Sequence, residues 1–167
     1  MTFRKPMLAA LAAAAMVVTV TESAETASPE MSAQLVRGKY LVQVAGCNDC
    51  HTAGYAPSAG KVDESQWLLG ERVGYRGPWG TTYATNLRLA VQDMTAEQFM
   101  VRARSPPRPP MPWFNLVAMR DGDLKAIFAY LQHLGPAGEP APAYVPPDQT
   151  PTGPFVQFPA PPPGAKP

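Results

Sequence analysis

Apolar positions recur at helical spacing in three places along the chain. Leu35, Val36, Tyr40, Leu41 and Val44 form the first set, with Gly38 near the same stripe. Thr95 followed by Gln98 has capping-box spacing ahead of Phe99, Met100 and Val101, so a short helix is predicted to start there. Leu124, Ile127, Phe128, Leu131 and Leu134 make the third stripe. Asp121 is placed to cap its start, and Gly135-Pro136 stops it. Between Gly54 and Arg88 there are many glycines and no sustained period, which reads as loop. No internal repeat and no convincing run of alternating strands is present, so the predicted class is all-α, with three to four helices and extended loops. Helices this short need tertiary packing, and so long a loop region in a compact domain needs something inside to organise it.

Both ends differ from this middle. Arg4 and Lys5 precede an uncharged, alanine- and valine-rich run from Met7 to Val20, the pattern of a secretory signal. The run is shorter than the roughly 20 residues of a spanning helix. Residues 1–24 are therefore expected to be a cleaved signal peptide, which makes the protein exported and periplasmic, with an uncleaved membrane anchor as the alternative. Of the 21 prolines, most of those outside the middle lie from Pro136 onward. Residues 136–167 are expected to be an extended tail, either a flexible spacer or a strap on the surface, and dispensable for the site. This leaves one domain, residues 32–135.

Charge excludes some functions. With 14 basic and 13 acidic side chains, only 16% of a 167-residue chain is charged, which fits neither a basic nucleic-acid binder nor a disordered acidic chain. With only two cysteines and two histidines, a disulfide scaffold is ruled out. Both cysteines and one histidine fall in Cys47-Asn48-Asp49-Cys50-His51, the C-x-x-C-H pattern of c-type haem attachment. Each position has a chemical reason. Two thiols bond the two haem vinyl groups, and the adjacent His51 comes under the iron as its proximal ligand. A thioredoxin-like dithiol would need strands alternating with helices, a zinc site would have to recruit His133, and a plain disulfide would leave the histidine incidental. Haem accounts for the core-less loop region as well.

A sixth ligand is drawn from methionine or histidine. Met111 lies in Pro106-Pro107-Arg108-Pro109-Pro110-Met111-Pro112-Trp113, where fixed proline φ angles hold one loop shape. Met119, near the start of the last helix, and His133, in its last turn, are the other candidates. Trp79, Tyr83 and Asn86 carry polar hydrogens able to reach haem propionates. Arg102, Arg104 and Arg108 would steer an acidic partner if they rim the methionine side.

The chain resembles the class I cytochromes c, and among them the bacterial cytochrome domains associated with quinoprotein alcohol dehydrogenases. The resemblance spans about Leu35 to Leu134 and rests on four segments: Gly38-Lys39-Tyr40-Leu41 ahead of Cys47 to Thr52, Gly80-Thr81-Thr82-Tyr83-Ala84-Thr85-Asn86, Pro110-Met111-Pro112-Trp113, and Asp123 to Leu131. It implies the class I cytochrome c fold around one covalently attached haem c. It also implies first and last helices that cross with Gly38 and Tyr40 near Ala129 and Tyr130, and Met111 opposite His51. Those subunits often hold two or three haem motifs where this chain has one. The expected function is single-electron transfer between redox partner proteins, whether a dehydrogenase, an oxidase or another cytochrome, with no organic substrate. The alternatives are a permanent subunit of a dehydrogenase or oxidase complex, and a haem enzyme or gas sensor with a displaceable sixth ligand.

Overall fold

A computed structural model describes residues 1–2 and 29–159. The proposed signal segment and the last residues of the tail lie outside the described residues. In chain order the elements are α1 (Pro29–Val44), α2 (Cys47–His51), a 3-10 turn (Glu64–Gln66), β1 (Gly74–Gly77), β2 (Gly80–Thr82), α3 (Leu87–Ala90), α4 (Ala96–Ala103), α5 (Phe114–Ala118), α6 (Asp121–Leu134) and β3 (Phe155–Gln157). No helix among the described residues is long and apolar enough to cross a membrane.

Helices α1 and α6 form the frame, and the crossing is made by a missing side chain. A Cβ on Gly38 would lie 2.1 Å from the Ala126 carbonyl oxygen and 2.7 Å from the Tyr130 Cβ, so only glycine lets the two backbones approach. The buried face of α1 is therefore Gly38, Leu41 and Val42, not the whole expected stripe. Val36, Tyr40 and Val44 are exposed, and the Tyr40 ring lies under the Arg37 guanidinium on the surface. Tyr40 is thus an exposed side chain rather than a buried member of the crossing. On α6, Leu124, Ile127 and Leu131 are buried as their spacing predicts, each worth about 1.5–3 kcal/mol relative to exposure. Ile127 and Leu131 join Leu41, Val42, Trp67, Leu68, Val91, Ala126 and Tyr130 in one core.

Caps set the helix ends. Helix α4 has the predicted box, with Thr95 Oγ1 accepting from the Gln98 amide and Gln98 Oε1 accepting from the Thr95 amide. Asp121 does not cap α6. Arg120 holds the N-cap position without a side-chain bond, while Asp121 accepts from Arg104 at 2.6 Å in the first turn. At the other end of α6 the buried Arg88 donates to the carbonyls of Leu134 (2.5 Å), Gly135 (2.6 Å) and Ser65 (2.8 Å). Its charge faces the negative end of the helix dipole, which removes the need for a carboxylate partner.

All-α holds only in part, because a small three-stranded sheet, ordered β2-β1-β3, lies in the stretch read as loop. Strands β1 and β2 pair antiparallel around Pro78-Trp79, with Tyr75 opposite Thr82. Strand β3 comes from the tail and pairs parallel to β1, with Gly74 opposite Phe155. The tail also forms a bridge to β2 in which the Thr81 and Val145 amides and carbonyls bond reciprocally. The described part of the tail is therefore a strap on the domain.

Candidate haem-binding site

Helix α2 is one turn long and starts after Gly46, whose left-handed backbone (φ 70°) turns the chain out of α1. It carries Cys47, Cys50 and His51 together. The two cysteines are half-buried and not bonded to each other. Burial pushes the Cys47 thiol up to about 11, so it stays protonated at neutral pH, unlike the activated thiol of a dithiol oxidoreductase.

His51 is buried, and its Nδ1 lies 2.7 Å from the Thr85 carbonyl oxygen. A carbonyl only accepts, so Nδ1 carries the proton and the Nε2 lone pair is left available for a metal. Burial holds the imidazole below its ordinary range, and the bond to Thr85 opposes this in part. Two backbone runs hold that carbonyl in place. The Gly70 amide donates to the His51 carbonyl at 2.8 Å, and the Glu71 amide donates to the Ala84 carbonyl at 3.1 Å, so residues 70–71 tie α2 to residues 84–85. Beside His51, buried Thr52 donates to Asn48 Oδ1 and accepts from the Leu68 amide, both at 2.7 Å. Asn48 Nδ2 is buried without a partner.

The hairpin links this helix to the proline loop. Tyr75, whose phenol is raised first by burial and then by contact with Cys50, sits opposite Thr82 in the register. Thr82 Oγ1 donates to the Pro109 carbonyl at 2.7 Å, two residues before Met111. Thr82 thus ties the hairpin to the Met111 loop. Met111 is half-buried, and its carbonyl accepts from the Trp113 amide at 2.9 Å. The other two ligand candidates lie elsewhere: Met119 packs against the hydrophobic core, and His133 is exposed at the end of α6.

The three polar side chains expected near the haem differ in what they have left to offer. Asn86 is fully committed: its oxygen caps α3 by accepting from the Leu89 amide, and its amide hydrogens go to the Ala137 (2.8 Å) and Glu139 (3.2 Å) carbonyls. Asn86 is thus a helix cap and tail anchor. Trp79 gives its indole hydrogen to the Tyr75 carbonyl at 3.3 Å, closing the hairpin turn, and its ring meets Phe158 at 5.5 Å. Tyr83 is half-buried, and its hydroxyl has no hydrogen-bond partner among the described residues. Of the three arginines, Arg104 is paired with Asp121, Arg108 lies over the Tyr144 ring, and Arg102 is exposed. Sequence reading quoted Thr52 and Thr85 only within the resemblance and gave them no separate contact, and it missed Tyr75 and Tyr144. Thr85 acts through its backbone and Tyr144 lies in the tail, so no side-chain motif marks either.

Two unpaired thiols on one turn and an imidazole with Nε2 freed are the donor set that haem c requires. Zinc lacks such a set, since no group of three or more His, Cys, Asp or Glu side chains converges among the described residues. The family model for cytochrome c matches residues 35–135. The chain belongs to that family, and its helices around this donor set are those of a class I cytochrome c, an electron-transfer protein with covalently bound haem c. It is 28% identical over 135 residues to the cytochrome c subunit of a quinone alcohol dehydrogenase from Gluconobacter oxydans, an alignment covering 74% of this chain and 26% of the relative. The chain thus spans about a quarter of that relative's length. No solved structure matches.

Proposed function

We propose that the protein is an exported monohaem cytochrome c that carries single electrons between redox proteins, with His51 and Met111 as the two axial ligands. The observation that carries this reading is the Nδ1 bond from His51 to the Thr85 carbonyl, on a helix that also presents Cys47 and Cys50. When bound, haem c supplies an iron that cycles between two charge states one electron at a time. Cys47 and Cys50 hold the group covalently, so it is retained in either state. His51 donates from Nε2, and its bond to Thr85 fixes the ring and raises its basicity. Met111 supplies a soft, neutral donor that favours the reduced state. The Tyr83 hydroxyl, without a hydrogen-bond partner among the described residues, would be the donor to a propionate. If His51 and Met111 both hold the haem, the protein's own side chains would occupy the places a substrate would need.

The relative's description as a dehydrogenase subunit favours a quinoprotein dehydrogenase as electron donor, and it supports a second reading in which the chain is a permanent subunit of such a complex. The run Met7 to Val20 behind Arg4 and Lys5 supports export to the periplasm. Redox titration of the purified protein tests the main reading. A single one-electron wave per chain, together with a reduced form that does not bind carbon monoxide, is expected. A reduced form that binds carbon monoxide readily would contradict it. Purification of the native protein separates carrier from subunit, according to whether a stoichiometric partner accompanies it.

A further inference from the structure

The tail reaches the Met111 loop through one side chain. Tyr144 donates its hydroxyl to the Trp79 carbonyl at 2.7 Å, and its ring lies 4.0 Å from the Arg108 guanidinium carbon. Its position is fixed on both sides. The next residue, Val145, bonds reciprocally with Thr81, which is fully buried. Gly80 leaves room for the passing strap: its φ is 97°, and a Cβ there would lie 2.5 Å from the Val145 carbonyl oxygen and 2.8 Å from the Tyr144 ring. Further along, Arg76 donates to the carbonyls of Gln149 (2.8 Å) and Pro147 (3.2 Å).

We propose that Tyr144 is a positioning residue for the distal ligand: by clamping Arg108 against the strap while Thr82 holds the Pro109 carbonyl, it fixes the short proline loop that presents Met111. The inference rests on Met111 being the ligand. Prolines at 106, 107, 109 and 110 stiffen the loop but remove backbone donors, so it has few hydrogen bonds of its own to hold its place. The two anchors lie three and two residues before Met111, one on the strap and one on the hairpin's second strand. A cation held over an aromatic ring suits this task, because the contact holds the Arg108 guanidinium without a carboxylate partner.

The test uses the full-length haem-loaded protein and three variants, Tyr144→Leu, Tyr144→Phe and Arg108→Leu. The readouts are the near-infrared methionine-to-iron band of the oxidised form, carbon monoxide binding by the reduced form, and midpoint potential. Tyr144→Leu and Arg108→Leu are expected to weaken the band, lower the potential and speed carbon monoxide binding about two- to fivefold, the factor that loss of an exposed cation–π contact of about 0.5–1 kcal/mol allows. Tyr144→Phe keeps the ring under Arg108, so it should retain the band and lose only thermal stability. Arg108→Leu leaves the Tyr144–Trp79 bond intact, which keeps the test open if Tyr144→Leu fails to take up haem. If both leucine variants keep the wild-type band, potential and carbon monoxide rate while Met111→Ala loses the band, Tyr144 is packing alone and the inference is overturned. If Met111→Ala keeps the band, the ligand assignment fails and the role of Tyr144 fails with it.

Discussion

Thr52 shows how much of the site is decided by a single atom. Its hydroxyl oxygen donates to Asn48 and accepts from Leu68, one residue after His51 and fully inside the protein. Replacement by valine keeps the shape but leaves the Leu68 amide and the Asn48 oxygen buried and unpaired. That costs about 1–3 kcal/mol, read as a lower denaturant midpoint, while Thr52→Ser should restore most of it. Glu64 gives a pH signature. Lys39 first and the Tyr130 hydroxyl second hold its carboxyl below the usual range. Because the folded value lies below the unfolded one, the stabilisation is present above about pH 4.5 and is lost as pH falls through the folded value. The pair is well exposed, so the contribution is under about 1 kcal/mol. In Glu64→Gln, stability should fall less steeply between pH 5 and 3 than in the wild type, measured by thermal unfolding across that range.

At the level of elements, sequence patterns were readable where one segment decides its own structure. The Thr95–Gln98 box and the α6 stripe have that property, and both match the structure. The α1 stripe misleads because the contact with α6 centres on the residue without a side chain, so the apolar side chains beside Gly38 are partly turned to solvent. Gly38→Ala therefore acts through steric clash with the Ala126 carbonyl rather than helix propensity. It should lower the stability of the folded protein by about 1–3 kcal/mol or more, where propensity alone predicts a gain. An unchanged melting temperature would show that the crossing tolerates separation. The hairpin was illegible for a different reason: its strands are three or four residues long, glycine-rich, and completed by a strand some 80 residues later. At the site, the C-x-x-C-H motif pointed directly to Cys47, Cys50 and His51, because adjacent residues carry all of that chemistry. Thr85 and Asn86 matched the resemblance as side chains, yet one works through its carbonyl and the other caps a helix.

Across the whole molecule, the strap joins what sequence reading kept apart. Ending the chain at Gly135 would remove the Ala137 and Glu139 carbonyls from Asn86, the Val145 bridge from Thr81, β3 from β1, and Tyr144 from Arg108. Each hydrogen bond contributes about 1 kcal/mol net, and the buried Asn86 amide would be left unpaired. Truncation is therefore expected to lower the melting temperature markedly and to disturb the oxidised spectrum, the opposite of what a dispensable tail predicts. Calorimetry and absorption on the truncated haem protein check both. The account as a whole requires that Met111, as well as His51, hold the haem iron. The most direct measurement is near-infrared absorption of the oxidised full-length protein beside Met111→Ala. A methionine-to-iron band in the wild type that is absent in the variant is the predicted result, and a band that survives in Met111→Ala, or is missing from the wild type, would contradict it.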